Sequence, residues 1–392
     1  MPSSGPLRVV VAPDSFKGTF SSVVVAEALA EGWTTMRPGD VVVRTPMADG
    51  GEGMLDAVEA SGGWDRHAVA AKDPLMRTLA ASFLRAGDRA VVEMAAASGL
   101  SRLGPGERQA MAASTFGTGQ ILAAAIGLGC RDIVIGFGGS ATTDGGAGLL
   151  EALGVRFRDA QGADVPAGGG GLGRLASVDL DELSEVLGEV HLTVASDVTN
   201  PLLGEHGAAA VFGPQKGASP EEVAELDRNL RRFADVVEGT IGRPLRFEPG
   251  AGAAGGAIFG LLAVADRFAS FGVRAGVDVV MELTGFDASV TRADVVLTGE
   301  GLVDGQTSYG KTAMGVAARA TAAGARTICF GGGVTPEGAE FMLGMGVVTM
   351  PVVERPMTLD ECKAAGTGPI ARAAARAAIL VDLLGDGPGA RS

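Results

Sequence analysis

Five times in 392 residues a short apolar run ends in a loop that mixes glycine with charge, and this repetition limits the folds open to the chain. VVVA (9–12) leads into PDSFKG, and VVVRTPM (41–47) into ADGGEG. RDIVIGFGG (131–139) leads into SATTDGGAG, LTVASDV (192–198) into TNPL, and ADVVLTGEG (293–301) into LVDGQTSYGKT. Helical patterns separate the runs. SSVVVAEALAEG (21–32) opens on a serine cap and is predicted to stop at Gly32, and GMLDAVEASGG (53–63) follows the second run. After residue 290 the alternation returns, with a helix over 313–323, the runs RTICFGGGV and VVTMPVVE, and a last helix near 369–384. Strand and helix in strict turn predict a parallel sheet covered by helices.

The middle differs in texture. AVVEMAAAS (90–98) reads as a strand, and a glycine-heavy loop occupies 159–174. Ser219 and Pro220 open a helix whose Val223, Leu226, Leu230, Phe233 and Val237 make one apolar stripe. A single core stops growing at roughly 250–300 residues, so two domains are expected. The simplest arrangement is an α/β protein of two domains. Residues 1–75 and 290–392 form a discontinuous Rossmann-like domain, and 76–289 an inserted second α/β domain. The tail GDGPGARS is predicted to be disordered.

Composition excludes several classes. No apolar run reaches the roughly 18–20 residues needed to span a bilayer, and MPSSGPLR leads straight into a strand rather than a secretory leader. Cys130, Cys329 and Cys362 lie far apart and form no CxxC pair, which predicts free thiols in a cytoplasmic protein. A net charge of −14 repels nucleic acid and anionic lipid, so any anionic ligand must be held by local groups. Only Lys17, Lys72, Lys216, Lys311 and Lys363 are lysine among 32 basic residues. A point charge kept where arginine is the habit suggests a specific task.

Taken one at a time, the loops have ordinary explanations. Asp14 or Ser15 caps a helix, Asp49 sits in a turn, the glycines of GFGGSATTDGGAG permit close packing, and Asp197 with Asn200 forms an Asx turn before Pro201. Glu300, Asp304 and Lys311 read equally well as solvated loop charges. Together the loops say more, because loops at the carboxyl ends of parallel strands converge on a ligand crevice. That crevice would collect Asp14, Asp49, Asp144, Asp197, Glu300 and Asp304 with Lys17, Lys311 and many glycine amides. Lysines and amides suit phosphate oxygens, and carboxylates suit Mg²⁺. The sum is a phosphoryl-transfer site.

Two motifs compete. GQTSYGKT (305–312) satisfies the Walker A pattern of a P-loop kinase or NTPase, but GEGLVD separates it from VVLT, and a P-loop starts where its strand ends. GFGGSA (136–141) fits a dinucleotide fingerprint, with Asp159 at ribose distance, as in an NAD-dependent hydroxy-acid dehydrogenase. Against it, Gly145 and Gly146 fall where that fold needs the first turns of a packed helix. A non-catalytic metabolite sensor is the third alternative, though so full a set of charged loops is unusual for one.

The ordered series APDSFKG, PMADGGEG, GFGGSATTDGG, SDVTNPL, FGPQKGA (212–218), GAAGG (252–256) and TGEGLVDGQT, then GK followed by GVA, resembles the bacterial glycerate kinase family of the non-P-loop kind. The resemblance runs from about residue 8 to about residue 384. It implies transfer of the γ-phosphoryl of ATP to D-glycerate with Mg²⁺, most often giving 2-phosphoglycerate, at a site between two α/β domains. Thr143, Ser196 and Leu302 stand where the family commonly has asparagine, cysteine and arginine. On this reading Lys17 and Lys311 hold phosphate or carboxylate oxygens. Asp14, Ser15 and Asp144 belong to the substrate and nucleotide set, and the amides of Gly50, Gly51, Gly138, Gly139 and Ser140 cradle anionic groups. Asp197, with Asn200 beside it, is the base for the 2-hydroxyl and Asp49 the second choice, while Glu300 and Asp304 hold the metal or nucleotide. The expected partner is a small molecule, with a homodimer left open.

Overall fold

The strands in chain order are β1 (Arg8–Val11), β2 (Val41–Arg44), β3 (Asp65–Lys72), β4 (Thr78–Ala86), β5 (Arg89–Glu93), β6 (Asp132–Gly136), β7 (Arg156–Asp159), β8 (Leu175–Asp179), β9 (His191–Ala195), β10 (Ser270–Arg274), β11 (Val295–Val303), β12 (Arg326–Val334) and β13 (Val348–Pro351). They are seen in a computed structural model, which describes residues 5–183, 185–305 and 312–385. The predicted disorder of GDGPGARS falls, beyond its first glycine, outside the described residues. The chain divides into two units, the first holding the segments up to Asp49, 56–62 and from Val277 onward, the second 50–55 and 63–276.

The first unit is a parallel sheet in the order β13-β12-β11-β1-β2. Counted within the unit, that is the 2-1-3-4-5 order of doubly wound sheets, whose switch point lies between β1 and β11. Both faces are covered, which is why its central strands read as unbroken apolar runs. On one side Val9, Val11, Val295, Leu297 and Phe330 pack with Trp33 and Ala374 from the helices Ser22–Met36 and Gly368–Gly385. On the other, Cys329 and Val303 pack with Ala317 and Met342 from the helices Thr312–Ala322 and Pro336–Gly344.

The first helix does not stop at Gly32. Ser21 caps it as expected, accepting from the Val24 amide, but it continues to Met36. Gly32 is instead a contact point, since a Cβ there would lie 1.9 Å from the Ala371 carbonyl oxygen of the last helix. β11 also runs further than the sequence suggests. GEGLV belongs to the strand because Glu300, Leu302 and Val303 pair with Gly331, Gly333 and Val334 of β12. The gap that counted against a P-loop therefore shrinks to Asp304 alone, and the remainder of that motif, Gln306 to Lys311, lies outside the described residues.

The second unit has a six-stranded sheet, β10-β9-β6-β5-β4-β3, and a β7-β8 hairpin. β5, β6, β9 and β10 are parallel, while β3 and β4 are antiparallel. This sheet begins at residue 65, ahead of residue 76, because Asp73 closes a tight turn on Arg77 that ties β3 to β4. AVVEMAAAS is a strand only to Glu93 and then turns into the short helix Ala95–Ser98. The helix Pro220–Ile241 carries the predicted stripe. Its Ser219 forms a capping box with Glu222, and Leu226, Leu230, Phe233 and Val237 are buried.

Candidate active site

β1 continues to bond with β11 beyond its last residue. The Ala12 amide donates to the Leu297 carbonyl at 2.7 Å, the Asp14 amide to the Gly299 carbonyl at 2.8 Å, and the Thr298 hydroxyl to the Ala12 carbonyl at 2.9 Å. The loop then turns sharply, with the Phe16 amide bonded to the Phe20 carbonyl at 2.9 Å and Gly18 at φ +84°. Rigid pairing thus delivers Asp14, Ser15 and Lys17 to the switch point. There they line a cavity of about 260 Å³ with Asp49, Glu300, Gly301, Leu302 and Thr312.

The charges in this cavity are arranged unequally. Lys17 Nζ meets the Asp49 carboxylate at 3.1 Å, and that carboxylate above all holds the lysine above its usual pKa. The lysine side chain is 76% exposed, so the pair adds little stability, and its consequence is a presented cation. Asp14 is buried, and its Oδ1 accepts from the Ser15 amide at 2.6 Å. Burial first, then the Asp49 charge, pushes its carboxyl above the usual range. Among the described lining residues Asp14, Asp49 and Glu300 outnumber Lys17, a set that suits a cation, or an anion that brings one.

The oxygen-only donors Asp14, Asp49 and Glu300 fit Mg²⁺, a hard cation. Among the described residues no group of three or more acidic, histidine or cysteine side chains forms a ready-made cage. Mg²⁺ is usually bound through one or two carboxylates and substrate phosphates rather than by an all-protein cage. Asp304 follows β11 and is not among the described lining residues. Lys311 lies outside the described residues.

In the second unit the other predicted loops follow β6 and β9. Gly136 and Gly138 of GFGG are packing points: a Cβ on Gly136 would sit 2.2 Å from the Gly50 carbonyl oxygen and one on Gly138 2.3 Å from Gly51 Cα, while one on Gly50, in the loop after β2, would sit 3.1 Å from the Ala195 carbonyl oxygen. Gly139 takes φ +70° and Gly50 φ +81°, conformations that glycine adopts freely. The Gly139 carbonyl accepts from Leu100, and Ser140 bridges to Gly99. Asp197 accepts from the Gly276 amide at 2.8 Å, which fixes it at the start of the helix Gly276–Thr284. Asn200 donates to the His206 carbonyl at 2.9 Å.

Asp144 departs from its expected role of touching a ligand. It is fully buried, and its oxygens accept from the Thr115 amide and hydroxyl and from the amides of Gly146 and Gly148. Burial pushes its carboxyl up. Asp144 supports the glycine loop from beneath. Lys216 works beside it: 2% exposed, it donates to the Thr142 carbonyl at 2.5 Å. Gly255 completes the support, with its carbonyl accepting from Gly145 at 2.9 Å and no room for a Cβ, which would lie 2.0 Å from the Thr142 oxygen. FGPQKGA and GAAGG therefore brace ATTDGG. The sequence reading missed Lys216 as a site-shaping residue, although lysine scarcity was the available signal.

The dinucleotide fingerprint fails on geometry. Gly145 and Gly146 have φ +65° and +80°, so no helix starts until Ala147. Asp159 is buried in the β7-β8 hairpin and accepts from the Gln161 and Ala163 amides. Of the three departures, Leu302 is 49% exposed and lines the first-unit cavity, Thr143 is fully buried, and Ser196 accepts weakly from the Val198 amide at 3.4 Å.

The chain is similar to known proteins along nearly its whole length. Residues 9–382 match the profile described as the Glycerate kinase family. A glycerate kinase of Halalkalibacterium halodurans is 40% identical over 375 residues, covering 95% of this chain and 97% of the relative. A glycerate 2-kinase of Escherichia coli is 40% identical over 314 residues, 79% of this chain and 81% of the relative. A crystal structure described as a glycerate kinase 2 from Salmonella typhimurium superposes with a TM-score of 0.82 at 36% identity, over 97% of this chain and 100% of that one.

Proposed function

Because this chain belongs to the glycerate kinase family, we propose that the cavity at the β1/β11 switch point holds the phosphates of ATP while the 2-hydroxyl of D-glycerate is phosphorylated. The activity is that of an ATP-dependent glycerate kinase. The observation that carries the placement is Lys17, held at 3.1 Å by Asp49 in a cavity that Asp14 and Glu300 also line. Phosphoryl transfer asks the protein for positioning and for charge neutralisation.

Each residue then has a task. Lys17 binds an oxygen of the transferring phosphoryl group and stabilises charge as it moves, with Asp49 keeping the ammonium in place and protonated. Glu300 and Asp14 would hold Mg²⁺, which when bound neutralises phosphate charge. Asp197, fixed by the Gly276 amide, takes the proton from the acceptor hydroxyl. The amides around Gly138 to Ser140 orient the anionic end of the acceptor, and the Asp144–Lys216–Gly255 brace keeps that loop in shape. The free thiols Cys130, Cys329 and Cys362 support a reducing cytoplasmic setting, and no described helix is long and apolar enough to cross a membrane.

Lys17→Ala tests the placement. Steady-state ADP release with D-glycerate should show kcat/KM at least tenfold lower, or about 1.4 kcal/mol. Circular dichroism should stay unchanged, because the side chain is mostly exposed. An unaltered kcat/KM removes Lys17, and with it this cavity, from the phosphoryl-transfer machinery.

A further inference from the structure

Beside the carboxylate-and-lysine cavity lies a second one of about 200 Å³ with a different chemistry. The two share Lys17 and Gly301. The second is walled by Phe16, Phe20, Val353, Leu359, Cys362 and Ile370, and among the described residues lining it Lys17 is the only one with a formal charge. One wall comes from the turn after β1, another from the segment after β13 and the helix Leu359–Ala364, and a third from the start of the last helix. Gly301 and Gly332 also line this cavity. A Cβ on Gly332 would lie 2.5 Å from the Gly301 carbonyl oxygen, so these two lining residues pack backbone against backbone and put no side chain into the pocket. The pocket also gives a reason for Leu359, a leucine left 55% exposed at its mouth.

We propose that this apolar pocket receives the purine base of ATP, with the phosphates running past Lys17 and Gly301 into the neighbouring cavity. The inference rests on the phosphate placement given above and goes further by naming where the donor's base sits. An uncharged aromatic ring suits apolar walls that include two phenylalanines, and a cavity smaller than the roughly 300–1,000 Å³ of whole-ligand sites suits one ring system. A ligand with one flat apolar end and one anionic end is the kind that fills two joined cavities of such unlike character. Glycerate has no apolar end, which leaves the nucleotide.

Cys362 supplies the probe. It is half-buried in the pocket wall, while Cys130 and Cys329 are fully buried, so N-ethylmaleimide should label Cys362 first. Labelling would be followed by mass spectrometry on the full-length protein. ATP and saturating adenosine should each slow the reaction at least fivefold, whereas tripolyphosphate and D-glycerate should leave it unchanged. Equal protection by tripolyphosphate, or none by adenosine from protein that still turns over, overturns the base pocket while leaving the phosphate placement standing. Loss of glycerate-dependent ADP release in unlabelled wild type instead overturns the reading beneath it. A substitution, Cys362→Phe, fills the pocket and should raise KM for ATP at least tenfold with KM for glycerate unchanged. An unchanged KM for ATP in that variant also overturns the proposal.

Discussion

Replacing Lys216 with methionine keeps most of the side-chain volume and removes an amine that is 2% exposed. Burial lowers the pKa of that amine from 10.5 to about 7, with the nearby Asp144 charge offsetting part of the effect. In the unfolded chain the same amine titrates near its ordinary value of about 10.4. The sign follows directly. Below about pH 7 both states carry the proton, and between about 7 and 10.5 only the unfolded state does, so wild-type stability rises with pH across that window. At about 1.4 kcal/mol per pH unit the full rise is roughly 5 kcal/mol, and the part between pH 6.5 and 8.5 is about 2 kcal/mol. Urea unfolding at constant ionic strength, followed by circular dichroism at both pH values, should show wild type gaining about 2 kcal/mol relative to Lys216→Met. Groups common to both proteins cancel in that difference. Parallel pH dependence would refute the reasoning, since it would mean that the amine is hydrated rather than sealed against the Thr142 carbonyl.

Two further substitutions probe the acceptor half of the chemistry. Asp197→Asn can still accept from the Gly276 amide, so the fold should hold while kcat for D-glycerate falls by about 10²-fold or more, measured by ADP release; a near-normal kcat removes Asp197 as the base. Gly138→Ala would place a Cβ 2.3 Å from Gly51 Cα and should destabilise the protein by about 1–3 kcal/mol in urea unfolding, with unchanged stability showing that the two backbones do not pack as described.

Local chemistry announced itself well in the sequence. The loop after VVVA puts Asp14, Ser15 and Lys17 at the switch point because strand polarity alone decides which loops share a sheet edge. The same logic identified the turn glycines Gly145 and Gly146 as helix breakers. What stayed hidden depends on neighbours far along the chain. Gly32 reads as a helix stop until the last helix is seen lying on it. GEGLV reads as a loop until β12 offers it a pairing edge. Asp144 looks like a ligand-binding acid because a sequence does not say which side of a loop is buried, and the apolar pocket joins residues from Phe16 to Ile370 with no local pattern to mark it.

The central claim is that this chain moves a phosphoryl group from ATP to glycerate, and phosphorus NMR of the reaction product tests it most directly. Wild-type protein given ATP, Mg²⁺ and D-glycerate should release ADP only when the acceptor is present and should give the signal of 2-phosphoglycerate. Release of ADP independent of glycerate, or no phosphorylated glycerate from folded protein, would contradict the account.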